Sequence, residues 1–186
     1  MDYGFGNDIN EVHNMTPIDL TSLRRKAKQD AAQNRYYRAY IKEKLPLSND
    51  ALDTEVAALA DDAFSRINCL SCGACCRRAQ IAVTTKDIRR LARAVGATTE
   101  YFTRRYVAET SAGTTYVKGA PCPFLGENNI CSVYEDRPQA CRDFPYLHEK
   151  KIRVRTLTML ENVGECPIVE DVWTKLKKKY PEPRPV

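Results

Sequence analysis

Apolar residues recur at helical spacing in two stretches near the start of the chain. From Thr16 onward, Leu20, Leu23, Ala27, Ala31, Tyr37 and Ile41 fall near one face of a 3.6-residue repeat, and Leu45-Pro46 ends the run. Ser48-Asn49-Asp50 then offers capping side chains for a second helix, whose stripe is Leu52, Val56, Leu59, Ala60, Ala63 and Ile67. An isolated amphipathic helix is marginal in water, so this pair is expected to pack on itself or on a domain. Beyond residue 68 the elements shorten. Gln80-Ile81-Ala82-Val83 reads as a strand; Thr84-Thr85-Lys86-Asp87 starts a helix carrying Ile88, Leu91, Ala92 and Val95, stopped by Gly96; and a further short helix runs from Thr98 to Val107. Residues 114–134 read as extended, with Gly126-Glu127-Asn128-Asn129 turning a hairpin. A single helical turn is expected between Pro138 and Pro145, a strand from Lys151 to Leu160, and a closing helix from Pro167 to Lys179 with proline in its first turn.

Composition narrows the class. With 43% hydrophobic and 28% charged residues over 186 positions, a core can form and neither disorder throughout nor a membrane protein is suggested. No stretch approaches the roughly 20 apolar residues of a spanning helix. The start, Met1 to Asp8, is acidic and lacks the apolar run of a secretory signal, so a cytoplasmic location is expected. That location matters for the eight cysteines, because a reducing compartment keeps thiols free and favours metal ligation over disulfides.

The cysteines change the picture most. Cys69-Leu70-Ser71-Cys72-Gly73-Ala74-Cys75-Cys76 packs four thiols into eight residues around a glycine, which implies a tight thiolate-bearing turn. Cys122 and Cys131 fall on the two arms of the expected hairpin, and Cys141 and Cys166 follow. Two cysteines separated by two residues can turn their sulfurs toward one ion, and here that spacing occurs twice in succession, the rhythm of iron–sulfur ligation as well as of zinc knuckles. The side chains of adjacent Cys75 and Cys76 should diverge, so two sites or a shared pair follow naturally; eight thiolates make two four-coordinate sites on paper, in a pairing that spacing does not fix. One site plus buried leftover thiols is the other arrangement. Four thiolates around zinc carry two net negative charges, which Arg77, Arg78, Arg137 and Arg142 are placed to offset. His13 and His148 lack a spaced partner and are left out of the ligand set.

The blocks Cys69-x-x-Cys72-x-x-Cys75-Cys76, Cys122-Pro123-Phe124-Leu125, Cys131-x-Val133-Tyr134-Glu135-x-Arg137-Pro138-x-x-Cys141-Arg142-x-Phe144-Pro145 and Cys166-Pro167 together resemble the CxxCxxCC family, over about residues 66–170. The resemblance implies chelation of zinc or iron by the matching cysteines and implies no defined reaction. The expected fold class is therefore α+β: a small cysteine-rich, metal-stabilised domain of short strands and helices over residues 67–180. It is preceded by a helical extension over residues 16–66 and a flexible stretch over residues 1–15, and followed by a proline-rich tail over residues 181–186.

Three classes of function fit this reading. The first is a metal-binding module holding zinc or iron through Cys69, Cys72, Cys75, Cys76, Cys122, Cys131, Cys141 and Cys166. The second is an iron–sulfur enzyme, with Tyr134, Glu135, Arg142 and Asp143 as the first residues to test; no phosphate-binding glycine loop, metalloprotease helix or spaced nucleophile accompanies them. The third is a zinc-stabilised interaction module. The net charge of +5 is concentrated in a tract from Arg24 to Lys44 and in Lys175, Lys177, Lys178 and Lys179, a footing for an acidic protein or nucleic acid, or simply a solvated helix face.

Overall fold

The computed structural model describes residues 18–78, 80–127 and 129–182. The readings of residues 1–15 as flexible and of Pro183 and Pro185 as extended lie outside these residues. The fold is α+β, with ten helices and one two-stranded sheet among the described residues. Helices α1 (Leu20–Gln29) and α2 (Ala31–Glu43) replace the single helix expected through Leu45. The break falls at Asp30 (φ −85°, ψ 5°), a residue of low helix propensity. It separates a segment with no buried residue from one that buries Asn34, Tyr37, Tyr40 and Ile41.

Helix α3 (Asn49–Arg66) starts where its capping sequence predicts, with the Ser48 hydroxyl accepting from Ala51 N at 3.1 Å. Its stripe of Leu52, Val56, Ala60 and Ala63 is fully buried. Two short helices, α4 (Cys69–Cys72) and α5 (Ala74–Arg78), carry the cysteine cluster. Helix α6 (Thr85–Ala94) opens on a capping box between Thr84 and Asp87. Helix α7 (Thr99–Tyr106) runs into β1 (Val107–Glu109), which pairs antiparallel with β2 (Thr115–Val117) in the register Val107↔Val117. Ala82 bridges Tyr116 on the free side of β2, so the strand expected at residues 80–83 survives as one bridge. The expected hairpin is likewise minimal, closed by Leu125↔Cys131 and by Gly126 N donating to Ile130 O at 2.8 Å.

Helix α8 (Gln139–Asp143) is the turn expected between the two prolines, and α10 (Pro167–Lys179) is the expected closing helix. Between them lies a correction. Residues 151–160 do not form a strand but enter α9 (Ile152–Asn162). The alternation Ile152, Val154, Thr156 imitates a strand, yet Ile152, Thr156, Met159 and Val163 are the buried positions and repeat at helical spacing, while Val154 is 77% exposed. The cap is supplied from elsewhere in the chain: the Asp53 carboxylate accepts from Lys151 N at 2.8 Å and Ile152 N at 2.9 Å.

Two hydrophobic cores result. The first joins α2 and α3 to α9 and α10 around Trp173, whose indole N–H donates to buried Asn34 at 3.0 Å and whose ring meets Tyr37 edge-on. The second gathers Val83, Ile88, Leu91, Phe102, Val107, Val117, Phe124 and Val133, with the Phe102 and Phe124 rings stacked 5.9 Å apart. No helix among the described residues is long and apolar enough to cross a membrane.

Candidate metal centre

The cysteines lie along the edges of both cores. Cys166 belongs to the first core, and Cys122 and Cys131 pack against the second. The CxxCxxCC segment is shaped by its glycine. Asn68 caps α4 by accepting from Leu70 N at 2.8 Å, and Gly73 then turns the chain at φ +57°, in the left-handed region that favours glycine. A side chain on Gly73 would also meet Asn129 at 3.1 Å, because the turn at residues 126–129 is seated against this bend. Arg77 fastens the same contact by donating to the Asn129 side chain. Cys122 N donates to Cys76 O at 2.7 Å, which brings the hairpin's first arm to α5.

Cys141 is positioned from α6. Asp87 accepts from Gln139 N at 3.2 Å, and Arg90, paired with Asp87 at 2.7 Å, donates to the carbonyls of Asp136 and Arg137 at 3.1 and 2.7 Å. Arg137 lies over the Tyr134 ring at 3.9 Å and donates to Tyr134 O at 2.9 Å. Cys166 stands at the N-terminus of α10, its neighbour Glu165 joined to Arg78 of α5 at 2.9 Å and to Arg24 of α1 at 3.1 Å.

Four of the eight predicted ligands meet at one cavity. Cys69, Cys72, Cys75 and Cys166 line a space of about 30 Å³, together with Glu165 and with apolar residues that include Ile67, Phe144 and Ile168. That is room enough for a water molecule or a single ion. Cys76, Cys122, Cys131 and Cys141 stand outside it. Among the described residues, no three His, Cys, Asp or Glu side chains are arranged as a ready-made ion site. The thiols are grouped without being converged.

Burial holds several of them further in the thiol form. Loss of solvation raises Cys72, Cys122 and Cys131 above the ordinary thiol range, and lifts Cys141 and Cys166 to about 12. Cys76 is raised first by a hydrogen bond with the neighbouring Cys75 thiol and then by burial. The adjacent side chains, expected to diverge, therefore touch: their Cα–Cβ bonds point apart, but rotation about χ1 leaves the sulfurs free to meet. Cys69 is the outlier. The residue as a whole is exposed, yet loss of solvation at the thiol, with Cys72 and Cys76 alongside, raises it above the ordinary thiol range.

A second set of donors offsets burial. The backbone N–H of Ala74 is directed at Cys72, that of Phe124 at Cys122, that of Val133 at Cys131, and those of Ile168 and Val169 at Cys166, each favouring the thiolate. In each case the residue just after the cysteine is Gly, Pro or Ser, which turns the chain so that the next amide faces back. Cysteine spacing alone does not reveal these donors; the turn-forming residue after each cysteine is the signal that does. Of the four expected cations, Arg77 favours the thiolates of Cys72 and Cys76, and Arg137 those of Cys69, Cys131 and Cys141. Arg78 is instead paired with Glu165, and Arg142 donates to the carbonyls of Glu135 and Arg137. His148 is bonded to Asp61 at 2.9 Å and stacked on Phe64.

A family model matches residues 68–163, and its description is CxxCxxCC, putative zinc- or iron-chelating domain. The chain belongs to the CxxCxxCC family. No curated protein and no solved structure matches it. The matched segment holds seven of the eight cysteines and stops short of Cys166, which reaches the cavity from the following helix.

Proposed function

We propose that this protein is a metal-binding module that chelates zinc or iron through its clustered cysteines. The observation that carries the reading is the cavity at which Cys69, Cys72 and Cys75 meet Cys166 from about ninety residues further along the chain. The donor set fits such an ion chemically: soft sulfur donors, with backbone amides aimed at several of them and Arg77 and Arg137 to offset charge. A bound ion would supply the positive charge that lets several thiolates share one small space. The chain's own residues do the rest. Ile67, Phe144 and Ile168 wall the cavity, Gly73 bends the ligand loop, and the Asp87–Arg90 pair fixes the approach of Cys141.

The C-terminal basic tract is largely paired on the protein's own surface, whereas Arg25, Lys28, Arg35, Lys42 and Lys44 of the N-terminal tract are exposed, a footing that keeps an acidic protein or nucleic acid as the second reading. Lys26 pairs with Glu170 at 2.9 Å, Lys179 with Glu55 at 2.7 Å, Lys175 with Asp171 at 2.8 Å and also with Asp62. Lys177 donates to Asn34 at 2.9 Å.

Metal and acid-labile sulfide analysis with a visible spectrum, on protein purified without oxygen and without added metal, tests the proposal. Bound zinc or iron in stoichiometric amount supports it, and colour with equal iron and sulfide would identify an iron–sulfur cluster, the ligation that the Cys69-x-x-Cys72-x-x-Cys75 rhythm also permits. A chain that retains no metal and takes none up would refute it.

A further inference from the structure

Resting on the chelation reading, we infer that the eight thiols divide into two four-cysteine sites: Cys69, Cys72, Cys75 and Cys166 around the cavity beside the first core, and Cys76, Cys122, Cys131 and Cys141 beside the second. The adjacent pair Cys75 and Cys76 is thus split, one residue to each site.

The first quartet is defined by its shared cavity, which none of the other four cysteines lines. The second quartet is defined by chain contacts and neighbourhood. Cys122 N is bonded to Cys76 O, the Leu125↔Cys131 bridge holds the two hairpin cysteines on one short ribbon, and both pack on the second core. Cys141 does not line the cavity, and the bonds from Arg90 to the carbonyls of Asp136 and Arg137 and from Gln139 N to Asp87 hold its segment to the second core. Cys76 is tied to Cys122 by its backbone bond and lies near Cys69 and Cys72 as well, as a residue at the boundary of two sites must. Each quartet contains two cysteines backed by the amide two residues on: Cys72 and Cys166 in one, Cys122 and Cys131 in the other. The contact between the Cys75 and Cys76 sulfurs then makes this dipeptide the joint between two sites.

The test titrates the full, metal-free chain with cobalt(II) alone under argon, counting bound ions by native mass spectrometry and following the thiolate-to-cobalt absorption. Two ions per chain are expected. Because ligands of one site act together, Cys72→Ser, Cys166→Ser and the two combined should each leave one ion, and so should Cys141→Ser. Cys166→Ser combined with Cys141→Ser should leave none. Loss of both ions from the Cys72→Ser, Cys166→Ser double variant, or retention of one by the Cys166→Ser, Cys141→Ser variant, would overturn the partition. Unmodified protein carrying one ion per chain, then alkylated and fragmented intact, gives an answer that does not depend on variants folding. Protection in blocks of these two memberships supports the partition, and joint protection of Cys75 with Cys76 overturns it. Uptake of no cobalt, zinc or iron would bring down the chelation reading as well, whereas a single ion or mixed blocks would bring down the partition only.

Discussion

The two cores are held together by different means. The first draws on both ends of the chain, packing Tyr37, Ile41, Leu52 and Val56 against Met159, Val169, Val172 and Trp173, and its rim is laced by the ion pairs from Lys26, Arg66, Lys175 and Lys179. The second lies wholly within residues 83–133 and has half as many buried residues, nine against eighteen. A unit of about fifty residues buries too small a share of its surface to be comfortably stable alone, and small domains of that size commonly depend on metals or disulfides. Cys122 and Cys131 lie directly against this smaller core. On the proposed ligation, metal binding and hydrophobic burial are complementary: the core with more apolar residues would need the cysteines less.

Removing metal should therefore separate the two. After a chelator is added under reducing conditions, amides of α6, α7, β1 and β2 are expected to exchange hydrogen at close to unprotected rates, while those of α2, α3 and α10 keep most of their protection. Apparent metal-binding free energies of about 10–16 kcal/mol in small zinc domains are large enough to dominate the smaller core. Mass-spectrometric hydrogen exchange reads both regions at once, and equal loss across them would show that they unfold as one unit.

Core truncations sharpen the same contrast at the next level of effect. Phe102→Ala removes a fully buried ring from the second core and should cost about 3–5 kcal/mol, and Leu52→Ala in the first about 2–5 kcal/mol. Trp173 is the sole tryptophan and lies in the first core, so its fluorescence reports that core alone. Leu52→Ala should lower the midpoint of the Trp173 transition in urea, and Phe102→Ala should leave it nearly in place. If both variants shift it alike, the independence of the cores fails.

Much of this arrangement is legible in the amino-acid sequence, because it rests on local rules. Ser48, Thr84 and Pro167 announce helix starts by their own chemistry, and the Cys69 to Cys76 block, with its central glycine, announces a thiolate loop. What is not legible depends on distant partners. Residues 151–160 look like a strand because Ile152, Val154 and Thr156 alternate, and the cap that makes them helical is Asp53, about a hundred residues earlier. The break at Asp30 matters only because α2 is buried and α1 is not. Cysteine spacing likewise names candidate ligands without saying which cluster together, since that is decided by where α10 delivers Cys166 and where the second core holds the hairpin.

Gly73→Ala tests the link between the cores at a smaller scale. A left-handed backbone costs a non-glycine residue about 1–2 kcal/mol, and the added methyl would press on Asn129 at 3.1 Å. The expected outcome is a loss of stability of that order with weakened cobalt uptake, read by thermal melting and by titration. A melting curve and a cobalt titration both matching the unchanged protein would show that the bend is not under the constraint described.

The smallest expected effect concerns Asp87, which joins the second core to the Cys141 segment. Burial alone would raise this carboxyl, but hydrogen bonds from the Thr84 hydroxyl and amide and from Gln139 N, with Arg90 alongside, outweigh it and hold the group below its ordinary value of 3.8. A depressed folded pKa means that the stabilisation is complete above the unfolded value and fades as pH falls through the folded one. Asp87→Asn keeps the shape and loses the charge, so at pH 7 it should cost about 1–2 kcal/mol, in the range of a lost helix cap. Measured on the zinc-loaded protein, as a difference between the two proteins at each pH so that ligand protonation common to both cancels, the gap should stay constant from pH 7 to about 5 and narrow below about pH 4. A gap that persists unchanged into that acid range would mean that the charge of Asp87 contributes nothing to how the second core holds Cys141.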